Sequence, residues 1–362
     1  MRLELRQRAL GLAAIAALGA YSMSGRYSTA RADTLISSFT PGDLVVLRGG
    51  DSANPAGGGT YTLGAYLDEY TSGGIYVGTI DMPQASSGSN NPLTITNGLG
   101  SHEGELTLSD NGSWLTFGGY DTAPTTDFSG AGVSNDTIGE ISQFASTLNS
   151  STTTAPATFR AATTVDGNEF WVSNAPGLQY IAGTGASAAN TELNSLYNTR
   201  ALQTVNNTLI AGSGSQSLGP HGIWQLGASG TLPTSSTPSL TELTSGTPED
   251  GTDFVFANEQ GDTLTTSLYQ GRYNVLYSVG GPSTGQTINK YEYNGSTFML
   301  LNSESPVMSG DTLIGITDIV SGNNVNLYYT DNLGVYSAEY LGDPIAAAAA
   351  AAAVARQGDT LT

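Results

Sequence analysis

The chain has 362 residues, 11 basic and 31 acidic side chains, and a formal net charge of −20. A surface this anionic repels phosphate backbones and anionic lipid, which argues against nucleic-acid and peripheral membrane binding. Cysteine is absent, so no disulfide framework exists and the core must hold the fold unaided. Abundant glycine (47 residues) beside a single lysine, Lys290, suits a turn-rich β protein better than a helical enzyme.

Residues 1–32 read as a secretion signal. Arg2, Arg6 and Arg8 form its positive region, Ala9 to Ala20 its short apolar run, and Ala30-Arg31-Ala32 a small-residue cleavage site that leaves Asp33 as the mature start. The run is too short to cross a bilayer, and no later stretch spans one. Cleavage would remove five basic residues and one acidic residue, leaving six and 30 and a net charge of −24. The expected destination is the extracellular medium, the cell surface or the periplasm.

Three strand-like runs follow: Leu44-Val45-Val46-Leu47-Arg48, Ala65 to Tyr70 and Ile75 to Ile80. A phrase then recurs five times, each copy an apolar strand, a turn of Asp, Asn or Gly, and a second apolar strand. The first runs from Glu103 to Leu108, turns at Asp110-Asn111-Gly112 and continues as Trp114 to Phe117. The second runs from Arg160 through Asp166-Gly167 to Phe170-Trp171-Val172, the third from Arg200 through Asn206-Asn207 to Leu209-Ile210. The fourth runs from Asp253 through Gly261-Asp262 to Leu264. The fifth runs from Gly315 through Gly322-Asn323-Asn324 to Val325–Tyr329. Starts at 103, 160, 200, 253 and 315 lie on average 53 residues apart, near the period of β-propeller blades.

The expected fold is therefore an all-β propeller of six four-stranded blades, with seven as the alternative because the 253–315 interval is long. The three N-terminal runs form the first blade, which awaits an innermost strand from the C-terminus. The C-terminus reads Asp343-Pro344 and then Ala346 to Ala353, and alanine favours helix over strand. Closure is thus expected to be incomplete. The division is a signal (1–32), one propeller domain (33–343) and an alanine-rich tail (344–362), helical or poorly ordered.

Several separated words carry a resemblance. Phe39 to Arg48, Tyr66-Leu67-Asp68-Glu69-Tyr70-Thr71, Glu103 to Ser109, Leu115 to Asp121, Phe170 to Ser173 and Asn198 to Ala201 resemble an exported bacterial propeller-like family of unassigned function. The resemblance covers roughly residues 39–342. It implies the fold and export, and it supplies no catalytic residues. Members end in a strand of the Phe-Arg-Gly-Val-Ala-Phe-Ala-Pro kind, from which this chain departs after 342.

Residues opening the repeats occupy equivalent positions and should ring one mouth of the central channel. They are Glu103, Arg160, Arg200 and Asp253, with His102 beside the first and Asp311 just before the fifth strand. Two of six mature cations share this position. Their forks can hold a carboxylate or sulfate near the acid–base groups, or they can tie blades together through ion pairs. His102 and His221 are too few for a zinc site. Structural calcium stays open on composition, although Asp110-Asn111-Gly112 and Asp166-Gly167 are explained as hairpin turns; no other cofactor is expected. Gly183-Thr184-Gly185 to Ala188 matches G-x-G-x-x-A, but a return to the β repeat at 200 leaves no room for a βαβ unit. Tyr66, Tyr70, Tyr76, Tyr291 and Tyr293 fall on strands at period two, for cross-strand packing or for sugar stacking. No serine has a histidine and a carboxylate set around it in a recognisable motif. The first functional reading is an exported, monomeric binding module for an extracellular glycan, peptide or protein. The second is a lyase or hydrolase acting at the channel mouth.

Overall fold

Hairpins build this fold, and their turns are where the chain must adopt left-handed backbone. Asn206 and Asn207 both have positive φ (48° and 56°), and Gly112 and Gly167 take φ of 69° and 84°. These are the conformations that Asn and Gly adopt at least cost, so the turn residues set the register of the strands they join.

The computed structural model describes residues 13–16, 34–50, 61–96, 104–127, 135–142, 148–153, 159–174, 177–185, 189–194, 196, 198–214, 221–245, 253–259, 268–280, 287–304, 313–321, 324–331 and 334–341. Strands β1 (Ala13–Ala16), β2 (Leu44–Gly49), β3 (Thr62–Tyr70), β4 (Tyr76–Asp81) and β5 (Thr94–Thr96) come first. Next are β6 (Thr107–Leu108), β7 (Trp114–Tyr120), β8 (Asp136–Ser142) and β9 (Leu148–Thr153). One sheet in the order β1-β2-β3-β5-β7-β8-β9 joins them, with β4 on β3 and β6 on β7. It amounts to two meanders stitched together by β5.

Strands β10 (Phe159–Thr163), β11 (Phe170–Asn174), β12 (Gly177–Ala182) and β13 (Ala189–Asn194) form a sheet in chain order. So do β14 (Thr199–Val205), β15 (Thr208–Ser213), β16 (Gly222–Leu226) and β17 (Leu240–Glu242). The two-residue β18 (Thr244–Ser245) lies parallel to β22 in the following sheet. That sheet runs β19 (Asp253–Ala257), β20 (Val275–Gly280), β21 (Thr287–Tyr293) and β22 (Phe298–Glu304). Finally β23 (Leu313–Ser321), β24 (Asn324–Asp331) and β25 (Gly334–Leu341) form a three-stranded sheet.

The leading strand of each unit touches the next: β6 meets β10, β10 meets β14, β14 meets β19, and β19 meets β23. β23 in turn meets β1, and β1 meets β6, so the series closes on itself. The fold is all-β and propeller-like. Apolar clusters lie between successive sheets, as that arrangement requires. Tyr120, Ile138, Phe159 and Val172 pack together, as do Trp171, Leu178, Leu202 and Leu209, and Val255, Tyr277, Ile316 and Leu327. Leu44 and Tyr328 join the last sheet to the first. Close approach is enforced at Gly118, where a Cβ would sit 1.5 Å from Phe159 Cε1; only glycine lets β10 press its ring against β7.

Two sequence expectations change. Asp253–Ala257 pairs with Val275–Gly280, so that strand is its hairpin partner; Gly261-Asp262 and Leu264, the expected turn and second strand, lie outside the described residues. The inner position beside β2 is filled from the N-terminal side, by β1, rather than from the C-terminus. The tail at 344–362 lies outside the described residues. No helix among the described residues is long and apolar enough to cross a membrane.

Candidate functional site

The inner strands of the closed series run side by side, so side chains at their starts form one layer and those at the turns another. At the strand starts the polar groups hold backbone. Asp253, 6 % exposed, accepts Phe254 N at 2.7 Å through Oδ1 and Ile316 N at 2.8 Å through Oδ2. It thereby fastens β19 to β23. Burial pushes its carboxyl up to about 7, against the pull of those backbone donors. Glu105, two residues before β6, is pushed well above the ordinary carboxylate range by burial and by the Asp253 charge. Gly104 N and Glu105 N both donate to Arg160 O, at 3.1 and 3.2 Å, joining β6 to β10. Thr107 Oγ1 reaches Leu202 O at 3.1 Å.

The candidate residues from the sequence separate here. Asp253 is buried in this layer. Arg160 is half-buried, and its Nη1 donates to Asn198 Oδ1 just before β14, a tie between units. Arg200 is half-buried against Gly214, where a Cβ would stand 2.4 Å from its Cζ. His102 and Glu103 lie outside the described residues, as does Asp311. Arg160 and Arg200 sit at the same strand position, as the repeat predicts.

The turn layer holds a cation the repeat did not mark. Arg272 Nη1 is 2.9 Å from Asp110 Oδ1, joining the loop before β20 to the β6–β7 turn across 162 residues of chain. The Arg272 side chain is 48 % exposed and Asp110 13 %, so the guanidinium faces solvent while its partner is largely covered. Local chemistry fixes both ends. Ser113 N donates to Ser109 Oγ and Asn111 Oδ1 at 3.1 and 2.9 Å, holding the Asp110 turn. Gln270 and Gly271 take positive φ, and Tyr269 N donates to Tyr273 O at 2.7 Å, closing the Arg272 loop on itself. Beneath it Tyr269 stacks on Phe256 at 5.5 Å, Tyr273 lies 5.7 Å from the same ring, and Tyr269 OH donates to Gln225 Oε1 at 2.9 Å.

Asp318 on β23 belongs to the same surroundings. Burial pushes its carboxyl up to about 7. Burial also pushes the Tyr273 hydroxyl up, with Arg272 opposing and the Asp110 and Asp318 charges adding to the rise. One exposed guanidinium, its carboxylate partner and a largely buried phenol thus meet at one place, within range of the Asp318 charge. Such a group can accept from hydroxyls and donate to a carboxylate or carbonyl, which suits a polar ligand. Sequence reasoning passed over Arg272 because it lies in a loop outside the repeated phrase. Its one visible signal was that it is among six mature cations.

Among the described residues, the other cations of the mature chain are ion-paired. Arg48 Nε and Nη2 hold Asp68 at 2.6 and 3.1 Å beneath the Tyr66 ring, and Lys290 Nζ holds Glu259 Oε2 at 2.7 Å. Of the five period-two tyrosines, Tyr66 and Tyr291 are buried and Tyr293 packs on Phe298. Tyr70 and Tyr76 remain half-buried, edge to face at 5.6 Å. The β12 and β13 strands around Gly183-Thr184-Gly185 are antiparallel neighbours, which excludes a dinucleotide-binding βαβ unit there. Among the described residues no group of three or more His, Cys, Asp or Glu converges for a metal ion.

The raised carboxyls make stability depend on pH. A carboxyl whose folded pKa lies above its unfolded value binds a proton more tightly when folded. Its contribution is full below the unfolded value near 3.8 and is lost as pH rises through about 7. For Asp253 the span corresponds to about 4 kcal/mol as a ceiling. Denaturation midpoints should fall between pH 4 and pH 7.5, and Asp253→Asn should flatten that slope while lowering stability at pH 4. An unchanged slope in the variant would remove Asp253 from the account.

No protein-family model matches the chain, and no curated protein matches it. Solved structures similar to it include a candidate 6-phosphogluconolactonase from Bacteroides uniformis, with TM-score 0.39, 10 % identity and 82 % of each chain covered. A second candidate 6-phosphogluconolactonase, from Bacteroides fragilis, gives 0.36 and 9 %, covering 77 % of this chain and 82 % of that one. A mutant of Synechocystis ACO gives 0.39 and 12 %, covering 81 % and 68 %. Likeness at this level fixes no strand-by-strand correspondence and leaves the family of the chain unassigned.

Proposed function

We propose that the chain is an exported six-bladed β-propeller that binds an extracellular glycan, peptide or protein at the turn-side mouth of its ring. The blades are β2–β4, whose inner position β1 holds only while residues 1–32 remain, then β6–β9, β10–β13, β14–β17, β19–β22 and β23–β25. The observation that carries the binding site is the bridge from Arg272 to Asp110, which leaves a half-exposed guanidinium over an aromatic bed of Tyr269, Tyr273 and Phe256. The strand-start layer, which the repeat had favoured, engages Asp253 and Arg160 in holding strands together. A ligand that approached there would have to break those ties. Rigid placement of a few polar groups favours selective binding because little ordering entropy is lost on contact.

A glycan, polymer and peptide array screen of the exported protein tests this, run beside Arg272→Ala and Arg160→Ala. The Arg272 variant should lose at least about tenfold in affinity, the scale of one hydrogen bond to a charged group. The Arg160 variant should keep its affinity per folded molecule. Loss in the Arg160 variant alone would return the site to the strand-start mouth.

A further inference from the structure

Strand β1 is the one inner strand that runs the wrong way. Ala13, Ala14, Ile15 and Ala16 pair in parallel with Leu44, Val45, Val46 and Leu47. The leading strands β6, β10, β14, β19 and β23 all pair antiparallel with the strand that follows them. β1 nevertheless sits where they sit, in contact with β6 on one side and β23 on the other. The slot it fills is built for a strand. Four successive residues of β2, Leu44 to Leu47, are buried on both faces, and Leu106, just before β6, is buried in the same cluster as Val45 and Leu47. An unfilled slot would leave the inner edge of β2 without hydrogen-bond partners inside an apolar wall, which costs free energy at every unpaired group.

The segment that fills it is the apolar run of the expected secretion signal. Removal of residues 1–32 would take β1 away. We infer that the inner edge of β2 is a strand-acceptor slot, held by the leader in cis before processing. Once the leader is cut away, it is filled in trans by an extended, uncharged, apolar segment of a partner protein. The inference rests on the export reading given above. The seated run, Ala-Ala-Ile-Ala, sets the chemistry of the occupant: small and apolar, without charge. The reversed direction of β1 shows that β2 pairs with a strand of either polarity. A partner strand running antiparallel to β2 would match the other five inner strands and complete the regular ladder by strand addition. A second copy is disfavoured, since two mature chains of net charge −24 repel each other.

The test uses the full chain with a specific protease site placed between Ala32 and Asp33, folded and then cut. Hydrogen exchange of residues 44–49 is followed before cutting, after release of the leader, and after addition of a synthetic peptide spanning Ala9–Ala20. Exchange should accelerate at least about tenfold on release and return to its original rate with the peptide. A peptide carrying Ile15→Asp should fail to restore it. In the uncut chain Ala14→Pro, which removes a ladder donor, should give the same acceleration. If the cut chain unfolds, the cut is repeated with peptide in excess, and unfolding there too overturns the proposal. Protection that survives release, or that returns without peptide, also overturns it, the latter by showing that the same chain or another copy fills the slot. The mass of the protein recovered outside the cell reports separately on the export reading. A chain recovered there with residues 1–32 still attached refutes removal of the leader and with it the trans occupant, while the exchange result stands.

Discussion

Glu259→Ala is expected to lower stability by about 3–5 kcal/mol, measured as a shift in denaturant midpoint at constant slope. Lys290 Nζ lies 2.7 Å from Glu259 Oε2, and the two side chains are 2 % and 1 % exposed. Removing the carboxylate leaves an ammonium buried in blade-like sheet β19–β22 with its solvation gone and no countercharge. Glu259 also accepts from Tyr277 OH, and Asn274 clamps its main chain, Oδ1 accepting Glu259 N at 2.8 Å and Nδ2 donating to Glu259 O at 3.0 Å. The cluster therefore fixes the chain just after β19 as well as balancing charge. The double change Glu259→Met with Lys290→Met should recover most of the loss, since neither charge then needs desolvating. It should not recover all of it, because the Tyr277 hydroxyl loses its acceptor, at a cost of about 1–3 kcal/mol. A double variant as unstable as the single one would mean that the loss comes from packing and not from the stranded charge.

Trp171→Ala should cost about 3–5 kcal/mol, the range for emptying a buried indole. Trp171 is 0 % exposed and lies in the apolar cluster with Leu178, Leu193, Leu202 and Leu209, between the β10–β13 and β14–β17 sheets. Its ring lies 5.4 Å from Tyr180, and its Nε1 donates to Pro233 O at 2.7 Å, tying β11 to the segment after β16. Trp171→Phe keeps most of the volume and loses the hydrogen bond, so it should cost distinctly less. Equal losses in the two variants would indicate that the Pro233 tie, rather than the filled volume, holds the junction.

The architecture was legible where local chemistry decides it. Asn206-Asn207, Asp166-Gly167 and Asp110-Asn111-Gly112 announce turns because few residues tolerate left-handed backbone, and the apolar runs around them become the strands the repeat predicts. The fourth hairpin was misread because Gly261-Asp262 is a plausible turn, whereas Val275–Gly280, more distant in sequence, is the strand that pairs. Local signals do not say how long a loop is. The candidate site was legible only in part. Arg160, Arg200 and Asp253 each lie at the start of a leading strand, but partners decide what a side chain does. Asn198 for Arg160 and Ile316 for Asp253 lie 38 and 63 residues away. The Arg272–Asp110 bridge spans 162 residues, and no periodicity in the chain records it. The first inner strand was sought at the C-terminus because propellers commonly close there. Edge pairing is indifferent to where the strand comes from, and here the run beside β2 comes from the N-terminal side.

The central claim is that ligand binds at the turn-side mouth, and peptide-resolved hydrogen exchange with the strongest binder from the array tests it most directly. The account predicts slower exchange at residues 268–273 and 109–113, with residues 159–163 and 199–205 unchanged. Protection confined to those last two segments, or the absence of any binder from the array, would contradict it.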